Sequence, residues 1–254
     1  MTSAWGRARG GAAVIWGHPI IARALLGGWG VQLSSTILCT SGLMAEAKIA
    51  RRAGFAAVVG AGDYERTVQL VADAMPRAEC LVSFGIAGAL APGLRAGDVI
   101  LSQEVVGDDD RWISPVLPGS PVGDLSGAIG AIEGPVLGAS KIVGTQAEKA
   151  QAWIETGALA VDLESSVVAR AAAAAGIPFL VLRAIADPAS RHLPPAALLP
   201  LAHDGRPAIS RITASVLRNP RQLRGLVGLA REARRALAAL TEPAHTLSRL
   251  LATL

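Results

Sequence analysis

Four acidic side chains stand where an apolar run gives way to a turn or a helix. They are Glu46 in SGLMAE (41–46), Asp162 and Glu164 in AVDLES (160–165), and Asp187 in RAIADP (183–188). A fourth segment, SFGIAGAL (83–90), puts Gly85, Ala87 and Gly88 after a buried run, where small residues let a ligand approach the backbone and its N–H groups. Each signal is weak alone. Glu46 reads equally as a first-turn helix acid favoured by the macrodipole. The small-residue segment is neither GxGxxG nor a P-loop and reads equally as a tight strand-to-helix turn. Asp162 and Glu164 would share one face of a strand but diverge at a strand-to-helix junction, where one of them caps the helix. Such a pair suits vicinal hydroxyls, because each carboxylate accepts several hydrogen bonds. Asp187 before Pro188 suits a turn. At the end of a buried strand it is instead a partly desolvated acid with a raised pKa, able to donate a proton. The four histidines, His18, His192, His203 and His245, are scattered without ligand spacing, so no metal is expected.

The elements that must position these residues alternate. Strands are predicted over 36–40, 56–60, 80–84, 98–102, 104–106, 158–161 and 179–185, and helices over 43–52, 64–75 and 164–175. Residues 85–88 read as a loop. Residues 107–134, rich in Gly, Pro, Ser and Asp, read as a long loop with weak structure. Strands alternating with helices predict a three-layer α/β fold. Open α/β sheets bind ligands at strand ends, where all four segments lie. Helices over 209–217, 222–240 and 244–254 form a C-terminal extension. Between Arg206 and Arg249, nine arginines face two glutamates, Glu232 and Glu242. That extension reads either as amphipathic helices packed on the domain or as a helix on an anionic membrane surface.

Composition excludes several classes. In 254 residues, 51% are hydrophobic and 17% charged, which rules out a disordered chain and allows a large core. A net charge of +4 is too small for a strongly basic nucleic-acid binder. Cys39 and Cys80 cannot build a disulfide framework and read as reduced thiols of an intracellular protein. Residues 12–31 are mostly apolar after Arg7 and Arg9, but His18, Pro19 and Arg23 break the run, so no transmembrane helix is expected there. Residues 1–34 read as an extension outside the domain, as a surface anchor through Trp5, Trp16 and Trp29, or as a packed helix. The domain is expected over 35–200, with the basic helical tail over 201–254.

In order and spacing, the four segments resemble the nucleoside phosphorylase and nucleosidase superfamily, from about Thr36 to Leu193. The nearest branch is methylthioadenosine/S-adenosylhomocysteine nucleosidase. The specific stretches are FGIAGALAPGLRAGDVIL, AVDLES and VLRAIADPA. With TSGLMAEAKIA, LRAIADPASRHLPPAAL and the basic tail, the chain is similar to hopanoid-associated phosphorylases, which are thought to remove adenine from adenosylhopane. The resemblance implies an α/β three-layer sandwich with a mixed central sheet, and cleavage of an N-glycosidic bond with Asp187 protonating adenine N7. It implies Glu164 on the ribose hydroxyls and Glu46 positioning the attacking water. It places Gly85, Ile86, Ala87 and Gly88 close to ribose and base, Leu163 at the substrate, Ile142 and Val143 as an apolar wall near the base, and Arg183 near the acid. It further implies a small-molecule or lipid nucleoside as substrate, no cofactor beyond phosphate if the reaction is phosphorolytic, no nucleic acid, a homo-oligomer, and a cytoplasmic enzyme with peripheral contact at the inner face of the membrane.

The chemistry is coherent by itself. Breaking the bond needs a proton at the leaving base, charge stabilisation at the sugar and a nucleophile on the opposite face. Two departures from the family pattern matter. Ile86 stands where phosphorolytic members carry a phosphate-binding hydroxyl, and no aromatic ring stands ready to stack on the base. Ile86 and Glu46 favour water over a phosphate dianion as nucleophile. Phosphorolysis, implied by the subgroup's name, stays as the alternative.

Overall fold

The computed structural model describes residues 37–115 and 122–253. Two long parallel strands form its centre, β3 (Cys80–Ala89) and β10 (Phe179–Asp187). Their sequences, CLVSFGIAGA and FLVLRAIAD, are nearly unbroken apolar runs, the pattern of strands covered on both faces. All nine residues of β10 are buried. β3 is long enough to hold two neighbours on one edge. Its first half pairs in parallel with β1 (Ile37–Ser41), which takes β2 (Ala56–Val59) on its outer edge. Its last residues, Gly88 and Ala89, pair antiparallel with β9 (Ala160–Asp162). Beyond β9 lie β8 (Val136–Gly138), β5 (Glu104–Val106) and β6 (Arg111–Ile113). On the other side, β10 pairs antiparallel with β4 (Val99–Ser102), followed by β7 (Ile132–Glu133). The sheet is mixed, as the resemblance implies.

The pleat sends alternate residues of the two central strands to opposite faces. Leu81, Val181 and Ile185 pack against Val168 and Ala172 of α5 (Ser165–Ala175), with α2 (Tyr64–Ala74) contacting that helix. Val82, Phe84, Leu180 and Leu182 pack on the other face, in one cluster with Ala50 of α1 (Met44–Arg52) and Leu125 of α3 (Val122–Ile129). The remaining helices are α4 (Gln146–Thr156), α6 (Ile209–Arg218), α7 (Leu223–Ala239) and α8 (Thr241–Leu251). Helices on both faces make the expected three layers.

Two expectations change. The segment 85–88 is not a loop: the β3 ladder to β10 continues through it to Gly88. Gly85 and Gly88 weaken strand propensity, but the continuous ladder to β10 overrides it. The stretch 107–134 is not one loop either. It contains β6, α3 and β7, and residues 116–121 lie outside the described residues. The basic tail packs on the domain. Residues 35–254 form one compact unit, with Ala236, Leu240 and Leu247 fully buried in the core on the Phe84 face. Full burial of one leucine is worth about 1.5–3 kcal/mol, so Leu240 and Leu247 alone hold the tail firmly on the sheet. The readings of residues 1–34 lie outside the described residues. Among the described residues, no helix is long and apolar enough to cross a membrane.

Candidate active site

Glu46 sits in the first turn of α1, and both of its carboxylate oxygens are engaged. Oε2 accepts from the Leu43 N–H at 2.7 Å, closing the capping interaction that the macrodipole argument anticipates. Oε1 reaches across the sheet edge and accepts from the Ile86 N–H at 2.8 Å. The side chain thus caps its helix and faces β3 at the same time. Gly85 makes this possible: a Cβ there would lie 2.5 Å from the Glu46 carboxyl carbon and 2.7 Å from Nη1 of Arg183. Gly42 does the same for Glu164, whose Oε1 would lie 2.6 Å from a Cβ at that position.

Arg183 lies in mid-β10 with 1% exposure and gathers the acids around it. Its Nε stands 2.9 Å from Oδ2 of Asp162 as an ion pair, and its Nη2 bonds Oγ of Ser83 at 2.7 Å and Oε2 of Glu164 at 3.3 Å. Asp162 has a structural task. Its Oδ1 accepts from the N–H groups of Glu164 (2.8 Å) and Ser165 (2.7 Å), and its Oδ2 accepts from the Ser165 hydroxyl at 2.5 Å. It therefore caps α5, as one of the pair should at a strand-to-helix junction. Glu164 is left facing Gly42 and Arg183.

Three buried carboxyls around one guanidinium cannot all be ionised cheaply. Burial raises the pKa of Glu164, Arg183 lowers it, and Asp162 and Glu46 raise it again, leaving it at about 7. Glu46 is also raised, by burial first, against the pull of Arg183 and its backbone donors. The folded protein therefore binds a proton at Glu164 that the unfolded chain has released. Stability from this group is full below about pH 4.5 and is lost as the pH rises through about 7. Glu164→Gln should flatten the fall of melting temperature with pH over that interval. Parallel melting curves of wild type and variant, keeping the same slope, would overturn this.

Asp187 ends β10, 7% exposed, opposite Gly88 in the register with β3. A Cβ on Gly88 would lie 3.4 Å from its carboxylate, so this strand position leaves the acid just room enough. The cation beside Asp187 is not Arg183 but Lys149, from the first half of α4. Lys149 is completely buried, its Nζ pairs with Oδ2 of Asp187, and it donates to the Pro188 carbonyl at 3.1 Å. Burial raises the pKa of Asp187 while Lys149 pulls it down. A second pair stands behind: Arg191 bonds Glu232 of α7 at 2.5 Å, and both act on the same acid. Lys149 escapes the sequence reading because α4 does. The capping box Thr145–Glu148 and the terminal Gly157 are the signals that mark that helix.

The remaining expected residues divide. Ala87 is buried in the core. Ile86 turns its side chain into the core on the Phe84 face and offers the site only its backbone: its N–H to Glu46, and its carbonyl to Arg183 at 3.4 Å. Leu163 is half-buried, 3.6 Å from where a Cβ on Gly62 would stand. Val143 packs towards Leu137 and Val161. Ile142 lines a cavity of about 350 Å³ together with Gly144, Thr145, His192, Leu193 and Leu198. That cavity draws on the segment just downstream of Asp187. Along one strand, then, β3 meets a carboxylate–guanidinium cluster at Gly85 and a lysine-paired acid at Gly88.

Several known proteins share this architecture. The chain is 35% identical over 127 residues to futalosine hydrolase of Streptomyces coelicolor, a stretch that is 43% of this chain and 54% of that protein. It thus spans about half the length of the curated relative it matches. A solved S-adenosylhomocysteine nucleosidase from Streptococcus pyogenes superposes with a TM-score of 0.54 at 18% identity, over 86% of this chain and 98% of that one. The 5′-methylthioadenosine/S-adenosyl homocysteine nucleosidase of Helicobacter pylori gives 0.53 at 15% identity, over 83% and 97%. Futalosine hydrolase of the same organism gives 0.53 at 14%, over 84% and 98%. At these identities the structural likeness is one of fold. The family described as "Phosphorylase superfamily" matches residues 37–218. That match runs from β1 to the end of α6, through every element that positions the acids, and the chain belongs to this superfamily.

Proposed function

We propose that this protein cleaves the N-glycosidic bond of a 5′-substituted adenosine, with water as the nucleophile. The observation behind this reading is the pairing of two buried acid groups along β3. Asp187 stands at Gly88, and Glu46 and Glu164 stand with Arg183 at Gly85. Asp187 donates a proton to N7 of the leaving base. Glu164 receives the ribose hydroxyls, and its shared proton lets it accept from one and donate to another. Glu46 orients water towards C1′. Positioning and electrostatic stabilisation of the oxocarbenium-like sugar supply the rest of the rate.

Water is preferred over phosphate on electrostatic grounds. An incoming dianion would meet Glu46, Glu164 and Asp162, and the one guanidinium there is already held by two of them. Ile86 adds no hydroxyl. The substrate we favour is adenosylhopane, placing the enzyme in hopanoid biosynthesis. What favours it is the likeness of the stretches 40–50 and 182–198 and of the basic tail to hopanoid-associated phosphorylases. Futalosine is a second substrate to consider, because the Streptomyces coelicolor enzyme matches over 127 residues at 35% identity.

The test is base release by the purified protein from adenosylhopane, methylthioadenosine, S-adenosylhomocysteine and futalosine, each with and without phosphate. Phosphate-independent adenine release, fastest from adenosylhopane, is expected. Strict phosphate dependence would make the reaction phosphorolytic. Preference for methylthioadenosine or futalosine would replace the substrate. No base from any of them would overturn the reading.

A further inference from the structure

The helix α6 is amphipathic, yet none of its ten residues is buried. Ile209 is 67% exposed and Leu217 77%, and the exposed apolar set continues with Leu223 and Val227 at the start of α7. Arginines alternate with them. Arg211, Arg218, Arg221, Arg224 and Arg231 are all exposed, and none has an acidic partner among the described residues. The surface is also held together as a unit. Gln222, buried at the turn between α6 and α7, donates to the Ser215 carbonyl at 2.7 Å and its hydroxyl at 3.0 Å. It accepts from the Ala196 N–H at 3.0 Å. One side chain thereby staples α6, the start of α7 and the short turn Pro195–Leu198, and Leu198 at the end of that turn also lines the 350 Å³ cavity.

From this we infer that the α6–α7 surface docks on an anionic lipid bilayer and holds the cavity that Leu198 lines next to it. The mixture of groups selects the partner. A bilayer with anionic headgroups takes arginines at its surface and exposed Ile and Leu just beneath it, in one contact. A second copy of the chain meeting the same face about a twofold axis would bring two arginine-bearing faces together, a like-charge arrangement that costs affinity. A nucleic acid would use the arginines but not the leucines, and after Phe179 the chain holds no aromatic residue on which a base could stack. The inference stands apart from the identity of the nucleoside, since it rests on the surface and not on the acids.

Full-length protein would be sedimented with vesicles of phosphatidylcholine alone and of phosphatidylcholine mixed with phosphatidylglycerol. Binding to the mixed vesicles only, weakening as salt is added, is expected. Arg218→Glu, Arg221→Glu and Arg224→Glu together should reduce it by about a hundredfold or more, as each arginine near an anionic surface is worth about fivefold. Leu217→Ser with Leu223→Ser, at unchanged charge, should reduce it about tenfold. Both sets lie on the surface and should keep the wild-type melting temperature and the wild-type rate on a water-soluble nucleoside. Failure of the nucleosidase reading would appear in that rate and not in the sedimentation. Equal binding to neutral vesicles, no binding, or binding indifferent to both sets would overturn the inference. So would a self-associated species that the leucine variant dissolves, or binding to single-stranded DNA that the arginine variant abolishes while vesicles are ignored.

Discussion

Asp187→Asn is expected to lower kcat for base release by about 10²–10⁴-fold, the usual worth of general acid catalysis. The amide fills the same volume at the end of β10 and keeps an oxygen for Lys149, but it has no proton to give to a leaving base. The position is informative because its burial pushes the carboxyl up. The substitution also leaves the ammonium of Lys149 buried without its counter-charge, so some stability will be lost. A loss of activity must therefore be read on protein shown to be folded, by circular dichroism at the assay temperature. A folded variant within tenfold of wild type at neutral pH would remove Asp187 from the role of acid.

Much of this site is legible in the sequence because its residues announce strand ends. Glu46, Glu164 and Asp187 each follow an apolar run, and the structure gathers them along β3. That one of Asp162 and Glu164 caps the helix also follows from the junction, but that it is Asp162 shows only in its bonds to the Glu164 and Ser165 N–H groups. What stays hidden is long-range. Nothing local to Gly85–Gly88 says that the ladder to β10 will keep it a strand. The partner of Arg183 is equally opaque. Its neighbours in sequence suggest Asp187, but its guanidinium lies with Ser83 and Glu164, on the side chains of other elements. Lys149 is hidden twice. It lies in a helix whose alanines blur the apolar period, and its partner is 38 residues away. One signal does survive. Lys149 is one of three lysines in a chain with 24 Lys and Arg residues, and the only basic residue between Lys141 and Arg170. A compact ammonium with three donors fits a closed polar pocket better than a guanidinium fork.

Lys149→Met should shift the alkaline limb of kcat/KM to higher pH. Lys149 is the strongest influence opposing burial at Asp187: burial raises that pKa, the ammonium lowers it, Glu232 raises it again, and Arg191 lowers it. Methionine keeps the length of the side chain and removes the charge, so the carboxyl holds its proton further into the alkaline range. An acid catalyst that stays protonated at higher pH extends its activity in that direction. Stability should move in a linked way. In the variant the Asp187 carboxyl has a still higher folded pKa, so its contribution is full below the unfolded value and is lost as the pH rises through the folded one. The variant is therefore near wild type in acid and loses about 3–5 kcal/mol at alkaline pH, the cost of a buried charge stripped of its partner. Kinetic pH profiles and melting curves on the same samples test both consequences. If Lys149 merely props α4 against β10, the melting temperature falls equally at every pH and the alkaline limb stays where it is. If it sets the protonation of Asp187, the two curves move together, and combining Lys149→Met with Asp187→Asn removes the Asp187 share of both pH dependences while leaving that of Glu164.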